Sequence, residues 1–225
     1  MSKNYFSGFS RIKGRTIVAV CGVVIPLLVL SGCATTKGKV SDGNYYAPLN
    51  NFVIPLPTPL FGGLRIQDNN DAEGGMVSFH DDTGNNEGVT YVRLPANAET
   101  VHSDPAKRDS AYRSFVHDYA LPGLFLPVSS ESKLVHEEFL YSGPDRAFLA
   151  VVVIPEGSTL MDVKAGKRLE SVRALLVFDK SGFMYMLHTE MMTAFSKADA
   201  ASLSAKDLET ARTELQRMRT SIRFR

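Results

Sequence analysis

Tryptophan is absent from the 225 residues, and cysteine occurs only twice, at positions 21 and 33. Two cysteines cannot supply the four-ligand framework of a zinc ribbon. The sequence also lacks G-x-S-x-G, the P-loop pattern, G-x-G-x-x-G and H-E-x-x-H. Their absence argues against the recognisable hydrolase, nucleotide and zinc-protease classes, although triads assembled in space need no local motif. No excess of one charge exists: 25 Lys and Arg stand against 24 Asp and Glu, for a net +1. Without a clustered basic face, a nucleic-acid footprint is not expected. With 44% hydrophobic and 22% charged residues, collagen-like, coiled-coil and wholly disordered chains are excluded, leaving ordinary globular composition.

The distribution of charge is more informative than its sum. Residues 1–32 contain Lys3, Arg11, Lys13 and Arg15 and no acid, so the remainder, 21 basic against 24 acidic, is slightly negative. After Arg15, the stretch from Thr16 to Leu30 carries no charge, and Ser31, Gly32, Cys33 and Ala34 follow. A basic start, an apolar run and a small-residue exit form an export signal. Fifteen apolar residues interrupted by Pro26 suit a signal better than a spanning helix, which takes about 20. Leu30-Ser31-Gly32-Cys33 resembles the lipobox of bacterial lipoproteins. The resemblance implies removal of 1–32 as signal peptide, a diacylglyceryl thioether on Cys33 and a further acyl chain on its amine. Two or more chains anchor a protein stably where one does not. Ala34 after the cysteine implies, by the same resemblance, the outer membrane, with the domain on its periplasmic face. Loss of Cys21 and acylation of Cys33 leave no thiol for a disulfide or a nucleophile.

Residues 33–44 read as the lipidated cysteine and a small, polar, flexible tether, and 45–225 as a single domain. Asn51–Pro57 reads as a short strand stopped by prolines. Met76–His80 and Val89–Leu94 flank a loop rich in turn formers, which is a hairpin pattern. Asp104 is a suitable N-cap ahead of Pro105, and Tyr112, Phe115, Val116 and Tyr119 share one helical face until Pro122-Gly123 ends the helix. Arg146–Ile154 and Ser171–Asp179 are apolar enough to be central strands covered on both faces, and Lys180-Ser181-Gly182 turns the second into Phe183–His188. Leu208, Ala211, Leu215, Met218 and Ile222 mark a closing helix with one apolar stripe, leaving Arg212 and Arg219 toward water. This order is not the βαβ alternation of a parallel sheet. It predicts an α+β fold, an α/β/α sandwich around a mostly antiparallel sheet.

Three features are similar to the PsbP-like family: the opening strand Phe52-Val53-Ile54-Pro55-Leu56-Pro57, the late hairpin Leu176–Leu187, and the closing helix running into Thr220-Ser221-Ile222-Arg223-Phe224. The resemblance spans about Tyr45 to Phe224. It implies an α/β/α sandwich serving as a non-catalytic scaffold that binds partners or assists assembly, without a cofactor. It transfers no functional residue to this chain.

Four constellations have chemical potential. Met184, Met186, His188 and Glu190 alternate onto one face of a strand, with Met191 and Met192 following, and thioether with imidazole suits Cu(I). The simpler reading is core packing by methionine beside a satisfied histidine. His80, Asp81, Asp82 and Glu87 could hold a hard cation, but a polar hairpin loop explains them. His102, Ser103, Asp104, His117 and Asp118 could supply triad parts, as such neighbours do by chance in many chains. Arg212, Arg217, Arg219, Arg223 and Arg225 crowd the C-terminus, where cations complement a helix dipole. The expected function is therefore a lipid-anchored periplasmic binding or assembly-accessory protein with a partner in the envelope. The alternatives are a periplasmic hydrolase without a motif, and copper handling through the Met/His strand.

Overall fold

The most apolar segments of the sequence become the middle of a seven-stranded sheet. The structure, a computed structural model, describes residues 36–59, 62–95, 104–142, 145–158, 160–162, 164–191 and 203–225. Leu30, Ser31, Gly32, Cys33, His102, Ser103 and Met192 lie outside the described residues. In chain order the strands are β1 (Lys39–Ser41), β2 (Asn44–Tyr46), β3 (Phe52–Pro55), β4 (Arg65–Asn70), β5 (Gly74–His80), β6 (Asn86–Arg93), β7 (Lys133–Ser142), β8 (Asp145–Ile154), β9 (Met161–Asp162), β10 (Lys167–Arg168), β11 (Ser171–Lys180), β12 (Phe183–Glu190) and β13 (Arg223–Phe224). The large sheet has the order β4-β5-β6-β12-β11-β8-β7, and every pairing in it is antiparallel. The antiparallel α+β expectation therefore holds, with β8, β11 and β12 all interior.

Register divides the large sheet into two faces. Val151 pairs with Ala174, and Leu149 with Leu176, while Tyr185 lies opposite Phe178 and Tyr91. These side chains form one face and pack with Ala211, Leu215, Met218 and Ile222 of the closing helix, Ala205–Ser221. The same face carries a second, four-stranded sheet of order β1-β2-β3-β13. Phe52 of that sheet meets Tyr91 and Tyr185 edge-on at 5.3 and 6.0 Å, and Phe224 meets Tyr185 at 4.9 Å. Edge-to-face rings add about 0.5–1.5 kcal/mol each beyond their area. The sequence did not suggest this second sheet. Its first strand falls within the expected tether: Lys39–Ser41 pairs with Asn44–Tyr46, and Asp42 and Gly43 turn the chain with positive φ.

On the opposite face lies the first helix, Pro105–Ser114, capped by the Asp104 carboxylate, which accepts from Ala106 N. Its Arg113 guanidinium stacks over Phe139 and Phe148, its Tyr112 hydroxyl donates to Asp179, and its Asp109 pairs with Arg146 at 2.8 Å. The helix does not stop at Pro122-Gly123. It widens and continues from Phe115 to Phe125, with Leu126 N bonding Leu121 O five residues back. A proline has no N–H and its ring clashes with the carbonyl four residues back in a regular helix. The wider spacing relieves that conflict, and Phe115, Val116, Ala120 and Phe125 bury against the sheet.

Val151, Val153, Leu175 and Val177 are each at most 1% exposed, as double coverage requires. Arg219 departs from expectation. Its guanidinium lies 4.5 Å over the Phe178 ring and 3.8 Å from Asp145, so it is largely covered, with the aliphatic stem on the sheet. Arg212 is half-buried and pairs with Glu138 and Glu209.

Candidate functional site: a buried polar row

Five strands of the large sheet place polar side chains side by side on the first-helix face. Arg65 of β4 pairs with His80 of β5, and His80 with Asn86 of β6. Thr189 of β12 lies opposite Glu87, so its neighbour Glu190 stands beside Asn86, and Glu190 in turn pairs directly with Arg173 of β11. One step along the strands a second tier follows: Gln67, Ser78, Gly88 and His188. Beyond it the same face turns apolar, with Met186 and Met184 in β12 and Val177 in β11.

Strand alternation explains why each side chain points this way. In Ser171–Lys180 the residues Val172, Ala174 and Leu176 fill the closing-helix core, so Ser171 and Arg173 must face the other side. Asn86, His188, Glu190 and Ser171 are all buried, joined by Ser158 from the connection after β8. The Arg173 Nε–H donates to Ser171 Oγ at 3.2 Å. The Ser158 hydroxyl accepts from Leu160 N at 3.2 Å, and the Ser158 and Ser171 hydroxyls stand near enough to the Glu190 carboxyl group to favour its charged form. His188 Nε2–H donates to Asn86 Oδ1 at 3.4 Å. Gly88 makes room for the imidazole: a Cβ there would stand 2.6 Å from His188 Cε1 and 2.3 Å from Val77 O.

Burial dominates the electrostatics. Desolvation pushes His188 down to about 3, and the Arg173 and His80 charges add to the effect. His80 is lowered for the same reason, with Arg173 and Arg65 contributing. Desolvation holds Glu190 above the usual carboxylate range, opposed by Arg173 and the two serines, and holds Arg173 below its ordinary value, opposed by Glu190. At neutral pH His188 is thus a neutral donor rather than a cation. The row's open margin is β4, where Arg65 and Gln67 are exposed beside half-buried His80, and Arg65 reaches Asp82 at 3.3 Å.

The sequence-derived candidates divide accordingly. Met184, Met186 and His188 do share a face and are 1%, 1% and 4% exposed, a packed arrangement. The four residues of the acidic loop do not converge. His80 lies in the row, whereas Glu87, placed in a loop from the sequence, is a buried β6 residue on the opposite face. Asp81 is tied to its own loop by Thr83 N, Thr83 Oγ1 and Asn85 N. Asp104 is occupied as the helix cap, and His117 pairs with Glu137. Among the described residues no group of three or more His, Cys, Asp or Glu could hold a metal ion. Arg173, Ser171, Ser158 and Asn86 were missed; the signal available was a Ser-x-Arg at the head of an otherwise apolar strand.

No family model and no curated protein matches the chain. Among solved structures, the solution structure of cyanobacterial PsbP (CyanoP) from Synechocystis sp. PCC 6803 is similar, with a TM-score of 0.44 at 12% identity, over 86% of this chain and 100% of that one.

Proposed function

We propose that this chain is a lipid-anchored protein of the bacterial envelope whose PsbP-like sandwich domain binds a partner instead of transforming a substrate. The observation that carries the reading is Leu30-Ser31-Gly32-Cys33 at the end of an uncharged apolar run preceded by four basic residues and no acid. Ala34 favours the outer membrane, periplasmic face, as the destination.

The chemistry of the polar row supports binding over turnover. A hydrolase needs a nucleophile within reach of a base that can take its proton. In the row the Ser158 and Ser171 hydroxyls accept from Leu160 N and the Arg173 Nε–H, and the His188 imidazole donates to Asn86 instead of standing as a base beside either serine. The copper alternative needs Met184, Met186 and His188 to close on one ion, whereas all three are packed in the sheet.

Replacement of Cys33 by Ser removes the acyl acceptor. Metabolic labelling with palmitate is expected to mark the wild-type chain and not the variant, which should accumulate as the unprocessed precursor. Labelling that survives Cys33→Ser would sink the lipoprotein reading. Co-purification from detergent-solubilised envelope then identifies the partner.

A further inference from the structure

The fold begins very close to the acylated residue, and this fixes which end of the domain meets the membrane. Thr36 N already donates to Asn70 O at 3.3 Å, and Gly38 N to Asp68 Oδ2 at 2.7 Å, with the Tyr45 hydroxyl on the same carboxylate oxygen at 3.1 Å. Both acceptors lie in the C-terminal half of β4. From Cys33 to Thr36 the chain covers three residues, at most about 11 Å when fully extended. A tether of that length cannot carry the domain away from the headgroups to which Cys33 is fixed.

We propose that the sheet end formed by the β4–β5 turn, Asp71–Glu73, lies against the phospholipid surface, and that the polar row faces the aqueous compartment. This inference rests on the lipoprotein reading. The Ser181–Gly182 turn and the β7–β8 end share this side of the sheet, because Arg93 N bonds Glu73 O, Leu94 N bonds Gly182 O, and Ser142 pairs with Asp145. Tyr141, 58% exposed, stands at the same end, with an apolar ring and a polar tip suited to an interface. The row lies at the other end of the strands: Arg65 opens β4, and His80 closes β5. Seven residues of β5 separate the ends by about 20 Å. A partner approaching through water meets Arg65, Gln67 and His80 first, while the bilayer covers the opposite turns.

Cysteine placement makes the test clean. With Cys21 removed and Cys33 acylated, a single new cysteine is the one free thiol. The full lipidated chain is prepared as Ala72→Cys, in the β4–β5 turn, and as Lys164→Cys, in the β9–β10 connection, which lies with the Asp81–Asn85 loop because Leu160 packs on Gly84. Each is labelled with a small fluorophore and placed on vesicles of phosphatidylethanolamine and phosphatidylglycerol containing headgroup spin-labelled lipid. Quenching at position 72 is expected to exceed that at position 164 several-fold. Inserting twenty Gly/Ser residues between Ala34 and Thr35 should largely abolish the difference. Equal quenching at both positions in the uninserted chain, or stronger quenching at 164, overturns the orientation while leaving the anchor intact. Mass analysis showing no acyl group on Cys33 overturns the lipoprotein reading and, with it, the proposal.

Discussion

Gly88 shows how far one missing atom group shapes the polar row. The space of its absent Cβ is filled by the His188 ring on one side and approached by Val77 O on the other. The ring can turn away, but the carbonyl belongs to the β5 ladder and cannot yield without loss of register. Gly88→Ala is therefore expected to cost about 3 kcal/mol, at the upper end of overpacking, and to release His188 from Asn86. Urea denaturation checks the first effect, and the chemical shift of the imidazole checks the second. A glycine within an eight-residue strand signals close approach by another group, but the sequence alone does not say which group. Arg173 was illegible for a related reason. Its partners Glu190 and Ser171 were visible as residues, but which face of β11 the closing helix covers, and so which way Arg173 points, is decided by packing between distant elements.

The turn that joins β11 to β12 accounts for much of what could be read at the scale of elements. Ser181 and Gly182 both have positive φ, 49° and 78°, which matches the tight connection whose twist suits a two-residue hairpin. It sets Lys180 opposite Phe183 and so the entire β11–β12 ladder. The closing helix was equally legible. Ser204 accepts from Asp207 N while the Asp207 carboxylate accepts from Ser204 N, a reciprocal cap, and Leu215 on its apolar stripe is fully buried. Leu215→Asp places a carboxyl among apolar neighbours without a partner, at a cost of several kcal/mol against a typical domain total of about 5–15 kcal/mol. That variant is expected to be unfolded at room temperature by circular dichroism, whereas Leu215→Met should retain the wild-type signal. The widened turns after Ser114 and the four-stranded sheet were not legible. The first replaces a helix ending with a change of helical spacing. The second joins segments whose individual strands are two to four residues long, too short for any periodicity to register.

The folded molecule as a whole titrates through its buried histidine and glutamates, and these act with opposite signs. His188 is pushed down to about 3 in the folded state from an ordinary value of 6.5. Between those values the unfolded chain takes up a proton that the folded chain refuses, so stability falls as pH drops below about 6.5, by at most ~1.4 kcal/mol per pH unit. Glu87 and Glu190 are held above the usual range by burial. Their contribution is present below the ordinary carboxylate value and is lost as pH rises through the folded one. Between pH 7.5 and 5.5 the wild type should lose about 1–2 kcal/mol more than His188→Gln, since the glutamates are common to both proteins. Urea titrations at the two pH values measure the difference. Equal losses in the two proteins would show that His188 takes up its proton without unfolding.

The pairing of Phe52 with Phe224, and of Val53 with Arg223, has a consequence in time as well as in space. Strand β3 pairs with β2 close by in sequence, yet its other neighbour, β13, lies beyond the whole large sheet and the closing helix. The small sheet cannot close until β3 and β13 meet, and contacts so distant in sequence form late because the loop between them must first be ordered. The element that completes the aromatic layer is withheld until the large sheet and closing helix between its two strands are in place, so premature closure of the small sheet is prevented by topology.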